Sequence, residues 1–135
     1  MDIKQLQALN IAENEVTHEF ELKHPATDKG LGIFLTVISP QSDEPRRLTK
    51  SFANKVIKDE TKQKRLGKSD FKFNDYEEQT INVQSACIVD WRGVTEGDKE
   101  VPFSKEKLKE SILCNPLLRE QIQEQLEEVE NFIKA

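Results

Sequence analysis

Cysteine, histidine and glycine are all scarce in this chain of 135 residues, and each scarcity removes a chemistry. The two cysteines, Cys87 and Cys114, fit no metal-ligand spacing, and a lone pair is weak support for a disulfide framework. Both are read as reduced thiols in apolar settings, acting as small hydrophobes. The two histidines, His18 and His24, stand six apart without Cys or acidic partners at a set spacing, so they do not form a zinc pair. They are read as a strand residue and a turn residue. Gly30 and Gly32 lack the surrounding pattern of a phosphate loop. No Ser-His-Asp or Cys-His arrangement can be argued from order alone, because such sites are defined by geometry. Hydrolytic catalysis is not expected, and neither is a metal or a cofactor. No run of 18 apolar residues is present, which argues against a membrane-spanning helix. The start, M-D-I-K-Q-L-Q, lacks the basic and apolar regions of a secretory signal, so a cytosolic protein is expected.

What the chain does have is charge. Charged residues make up 33% and hydrophobic residues 36%, with a net charge of -5, so a single domain with a modest core is expected. The charge is unevenly spread. Residues 46–68 hold nine Lys or Arg against two acids, Asp59 and Glu60, while the rest is strongly acidic. Arg46, Arg47, Lys50, Lys55, Lys58, Lys62, Lys64 and Arg65 are the candidate electrostatic interface. The plain reading is a solvated helix face; the sharper one is a surface that meets the acidic part of another copy or of a partner.

Periodicity gives the elements. Ile3, Leu6 and Leu9 predict a short helix behind an Asp2 cap. Val16, His18, Phe20 and Leu22 alternate with polar residues, as do Leu31, Ile33, Leu35 and Val37, with turn chemistry over 25–30 between them. This is a β-hairpin, and two strands alone are marginal in water, so a helix or a further strand must cover it. Ser42 or Asp43 is the cap of a helix with Pro45 in its first turn and Gly67 at its end. Leu48, Phe52 and Val56, with Ile57 beside them, are its core-facing stripe. Residues 68–74 read as a loop. Asn74 or Asp75 then starts a central helix with Tyr76, Thr80, Val83, Cys87 and Trp91 on one stripe, ending at Gly93. The predicted class is α+β: an N-terminal β-hairpin packed against a helical body of about four helices. The short helix and hairpin occupy 1–45 and the helical part 46–135 of a single domain.

Residues 91–118 are the most punctuated stretch. The only tryptophan, Trp91, precedes Gly93, and Glu96-Gly97-Asp98-Lys99-Glu100 follows as a small hairpin or tight loop. That run is too short for a calcium loop and contains a lysine. Pro102, Phe103 and Ser104 then open a helix, with Ser104 as cap and Phe103 placed to pack back on Leu108. Asn115 caps the last helix and Pro116 sits at its first position. Leu118, Ile122, Leu126, Val129 and Ile133 form the last stripe, with Phe132 flanking it.

The ordered set V-D-W-R-G-V, an acidic turn, V-P-F-S, a helix ending near Leu113, and N-P-L-L-R-E-Q-I resembles the C-terminal half of tail assembly chaperones of long-tailed bacteriophages. The first half is similar in outline only. The resemblance implies a non-enzymatic assembly factor of the host cytoplasm that is not retained in the mature virion. Its implied partners are further copies of itself in a ring or spiral and the tape measure protein. The tail tube protein joins them through a frameshift-extended form. Trp91, Gly93, Pro102, Phe103 and Ser104 match the pattern as residues that position helices. A membrane is not among the implied partners, and nucleic acid is not expected. The competing reading is a nucleic-acid-binding regulator using residues 46–68, against which stand the missing interleaved aromatics and the acidic chain.

Overall fold

The computed structural model describes residues 1–67 and 72–133. A short helix α1 (Ile3–Ala8) leads into strands β1 (His18–Lys23) and β2 (Gly30–Val37). Two helices follow, α2 (Asp43–Leu66) and α3 (Phe73–Cys87), and then a third strand, β3 (Ile88–Arg92). A small hairpin, β4 (Thr95–Glu96) and β5 (Lys99–Glu100), precedes α4 (Lys105–Leu108), which runs on as a π-helical turn over Lys109–Leu113. Helix α5 (Pro116–Glu127) and a 3₁₀ turn (Val129–Asn131) end the described chain. The class is α+β, with the predicted hairpin extended to an antiparallel sheet in the order β1-β2-β3.

The third strand corrects the expected central helix, which stops at Cys87 instead of running through Trp91 to Gly93. Strand β3 pairs Arg92 with Phe34, Trp91 with Leu35, Asp90 with Thr36 and Ile88 with Val37. Val89 is therefore an extra residue in the ladder, a β-bulge. In a regular strand Ile88 and Trp91 would face opposite sides; the bulge turns both into the core, and both are buried. Three-residue spacing of buried apolar side chains is also what a helix shows, which is why the sequence pattern reads as helical here. Tyr76, expected on the same stripe, is exposed.

The strand is held at both ends. Ile38 N–H donates to the Cys87 carbonyl at 2.8 Å, tying the end of α3 to the exit of β2. At the other end Gly93 has φ +84, and a Cβ there would collide with the carbonyl oxygen of Gly32. Gly93 is thus required by a close backbone approach beside the sheet, and not as the end of a helix.

One face of the sheet carries Phe20, Leu22, Leu35, Val37, Ile88 and Trp91 into a core completed by Cys87 of α3, Leu108, Ile112 and Leu113 of the α4 segment, and Ile122 and Leu126 of α5. The other face is polar: Arg92 spans β2 to pair with Glu19 at 2.9 Å, its guanidinium 3.8 Å from the Phe34 ring centroid. The caps of the last helices form as expected: Ser104 Oγ accepts from Lys107 N–H at 3.1 Å and Asn115 Oδ1 from Leu117 N–H at 3.0 Å. Gly67 ends α2 in the left-handed conformation, its N–H bonded to the Gln63 carbonyl at 2.7 Å.

Three packing expectations change. Leu48, Phe52 and Val56 of α2 are half-buried and lie outside the core, and Ile57 is exposed; α2 packs on α3, where the Phe52 and Tyr76 rings meet edge to face at 5.3 Å. Helix α5 ends at Glu127, so the turn that follows buries Phe132 and leaves Val129 exposed, the reverse of the helical stripe. Cys114 is exposed and not in an apolar setting. Part of the loop expected over 68–74 lies outside the described residues, and residues 73 and 74 belong to α3.

Two glycines test the constraint. Gly93→Ala combines a left-handed φ with a backbone collision and is expected to cost about 3 kcal/mol or more in urea unfolding. Gly97→Ala, with φ +64 but open space around the added methyl, is expected to cost about 1 kcal/mol.

Candidate functional site

Three features stand out on this scaffold: the connector of residues 91–104, the outer face of α2, and a groove beside α1.

The structure brings the first half of the punctuated stretch together. Trp91 is 6% exposed, and its indole N–H donates to the Val101 carbonyl at 2.8 Å. Phe103 meets it edge to face, with ring centroids 5.4 Å apart. Val101 N–H returns to the Val94 carbonyl at 2.9 Å, closing the β4–β5 hairpin over the tryptophan. Gly93 and Pro102 border the same shallow hollow of about 400 Å³. Ser104 starts α4 directly after it, whereas Asn115 and Pro116 start α5 after the π-helical turn. These residues form a corner that fixes where the last two helices begin. Their side chains are satisfied within the chain.

The cations of α2 share one half of the helix, and Lys55 at its border lines a hollow with Asp75, Glu78, Gln79 and Asn82 of α3. Arg46, Arg47, Lys50, Lys55, Lys58, Lys64 and Arg65 are exposed and Lys62 is half-buried, so the helical repeat spreads them over one side of a rod about 36 Å long. Arg47 is paired with Glu44 at 2.5 Å, and that contact holds the Glu44 carboxyl below its ordinary value. Lys68, the last cation of the basic segment, lies outside the described residues.

The groove was not foreseen. It has a volume of about 500 Å³ and is lined chiefly by Leu9, Ile11, Val16, Phe132 and Ile133. Beside it α1 presents Ile3, Leu6 and Leu9, which are 70%, 53% and 48% exposed. No residue of α1 is buried. The periodicity of these residues predicts the helix correctly, but nothing in it says that the stripe stays uncovered.

Other contacts that sequence order does not reveal join distant elements. Lys105 Nζ donates to the carbonyls of Ser85 and Ile88, covering the end of α3 where β3 begins. Burial pulls its pKa down. Arg119 bonds the Leu113 carbonyl and Glu77, each at 3.0 Å. Gln84, almost fully buried, donates to the Arg119 carbonyl and to Gln123 Oε1. His18 is joined to Gln125 Oε1 at 3.0 Å, and His24 Nδ1 accepts from Ala26 N–H at 3.1 Å within its turn. Among the described residues no three His, Cys, Asp or Glu are placed to hold a metal ion, and no helix is long and apolar enough to cross a membrane.

Against known proteins, the model of the YdaY prophage protein family matches residues 43–135. The match starts at the first residue of α2 and covers more than half of the chain, so the chain belongs to that family. No curated protein and no solved structure is similar to it.

Two measurements follow from the side-chain environments. Burial pushes the Cys87 thiol up to about 12, so its thiolate is on the order of 10⁻⁴ of the total at pH 8. A thiol reagent is expected to modify one equivalent in the native protein, at Cys114, and two after denaturation. Trp91→Phe keeps the ring but leaves the Val101 carbonyl without its donor, and is expected to cost about 1–3 kcal/mol by urea unfolding.

Proposed function

We propose that this prophage protein is a non-catalytic tail assembly chaperone of the host cytoplasm. It self-associates and shields the amphipathic helices of a tape measure protein until the tail is built. Membership of a prophage family supports the viral setting. The order of Trp91, Gly93, Pro102, Phe103, Ser104, Asn115 and Pro116 supports the finer reading by its resemblance to such chaperones. The tail tube protein is the further partner that resemblance implies, through a frameshift-extended form of the chain.

The observation that carries the reading is the uncovered stripe of α1 beside its groove. A helix of six residues is too short to be stable without packing, yet its apolar side chains meet solvent. Covering Ile3, Leu6 and Leu9 would remove apolar area from water at about 25 cal/mol per Å². An amphipathic client helix laid along α1 supplies that cover in the helix-in-groove manner. The bound client is in turn kept from aggregating through its own apolar stripe.

A second reading rests on α2. Its exposed cations make a continuous positive side, which suits a regulator that binds nucleic-acid phosphates.

Co-expression with the tape measure protein of the same prophage is the direct test. The soluble yield of that protein is expected to rise several-fold with the wild-type chain. The gain should disappear with Leu6→Asp/Leu9→Asp, two exposed positions whose change leaves the core intact. No gain with the wild type removes the chaperone reading. Fluorescence anisotropy with a DNA duplex decides the second reading: tight binding that weakens steeply with salt would favour it.

A further inference from the structure

We infer that the groove beside α1 selects its client by charge: it takes an amphipathic helix whose apolar stripe is flanked by lysine or arginine, and it rejects one flanked by acids. This names the class of client for the groove and rests on the reading of the groove as a client site. The apolar surface is built from three short segments. Helix α1 supplies Leu9 through the residue after its last turn, the stretch that follows supplies Ile11 and Val16, and the C-terminal turn supplies Phe132 and Ile133. Ile3 and Leu6 of α1 stand outside that lining and are exposed. Leu9 belongs to both sets, so the stripe of α1 and the groove make one apolar track that a single helix can cover.

The rim of this track is acidic. Residues 9–16 carry Glu13 and Glu15, residues 128–133 carry Glu128 and Glu130, and neither segment holds a Lys or Arg. Glu15 lines the groove itself, and Glu13 stands next to Asn14, which also lines it. Glu128 caps the 3₁₀ turn that leads to Phe132 and Ile133, and Glu130 lies in that turn. All four carboxylates are exposed. None of them has an ion-pair partner among the described residues. Lys4 is the one Lys or Arg of α1.

An apolar track alone would accept any amphipathic helix, including one like α5, whose exposed side carries Glu120, Glu124 and Glu127. The rim separates the two cases, because it attracts a basic flank and repels an acidic one. Lysine and arginine also lay their aliphatic stems along apolar surface while their charged heads reach the rim. Each exposed pair contributes little, and several along one helix together suffice for about a tenfold preference. The occupant is a helix of another protein and not the basic α2 of a second copy. The half-buried stripe of α2, with Leu48, Phe52 and Val56, is already packed on α3.

Fluorescence anisotropy on the full chain tests this with three labelled peptides of one length, which share a leucine stripe at helical spacing and carry Lys, Gln or Glu on its flanks. At about 50 mM salt the Lys peptide is expected to bind about tenfold tighter than the Gln peptide, and the Glu peptide more weakly than either. Glu13→Gln/Glu15→Gln/Glu128→Gln/Glu130→Gln is expected to bring the three affinities together while holding the Gln peptide as wild type does, which also shows that the variant is folded. Changing Glu96, Glu100, Glu106 and Glu110 to Gln removes as much charge elsewhere and is expected to leave the preference intact. Leu6→Ser/Leu9→Ser keeps the charge and is expected to lose the Lys peptide. Equal binding of the three peptides by wild type overturns the charge selection and leaves the groove reading standing. A preference that survives in the rim variant, or that falls as far in the control, overturns it as well. So does a Lys peptide held unchanged by Leu6→Ser/Leu9→Ser. Self-association in sedimentation velocity that these two substitutions abolish would give the groove to a second copy and overturn it too. Binding of none of the peptides removes the groove reading itself, and the selection with it.

Discussion

Strand β2 is hydrogen-bonded along both edges, and its second edge sets the course of the chain after residue 87. Cys87 passes from helix to strand with its carbonyl already taken by Ile38 N–H. The extra residue Val89 then turns Ile88 and Trp91 to the same side. Gly93 must approach Gly32 so closely that no side chain fits. The connector with its small hairpin is built on that turn: Trp91 gives Val101 and Phe103 a surface to close on, and Ser104 begins α4 at the place this fixes.

Helix α3 is the second shared element. It is packed by α2 on one side and by α5 on another, and its end feeds the sheet. The contacts toward α5 are polar and specific, through Gln84 to the Arg119 carbonyl and Glu77 to the Arg119 guanidinium. A partly buried charge pair of this kind is weak as a source of stability, but removing either member leaves the other uncompensated. The contact with α2 is more extensive, with half-buried Leu48, Phe52 and Val56 on the α2 side and Gln79 Nε2 donating to the Leu48 carbonyl at 3.1 Å. The cationic helix is held beside the core without contributing to it, and most of its cations are exposed.

Separate surfaces then suit separate tasks. The corner at Trp91 is satisfied internally and acts as architecture, while α1 and the outer faces of α2 and α5 meet solvent. The chain belongs to a prophage family, and these uncovered surfaces are the ones on which the proposed assembly role rests. Cys87 is buried against the sheet, and burial holds its thiol in the protonated form.

The sequence alone determined the local punctuation: the β1–β2 hairpin, the stop at Gly67, and the caps at Ser104 and Asn115. These depend on alternation, on left-handed glycine and on side chains that bond backbone groups within a few residues, all of which are local in the chain. It also determined that α2 is amphipathic, but not how deeply its stripe is buried. Tertiary structure decided that residues 88–92 are a strand. A bulged strand and a helix both place buried residues three apart, and only the open edge of β2 distinguishes them. It decided as well that Phe132 and not Val129 enters the core, because α5 stops at Glu127 and the phase of its stripe is lost. That α1 remains uncovered is likewise a tertiary fact: a hydrophobic period tells which side of a helix is apolar, and only the packed molecule tells whether anything lies against it.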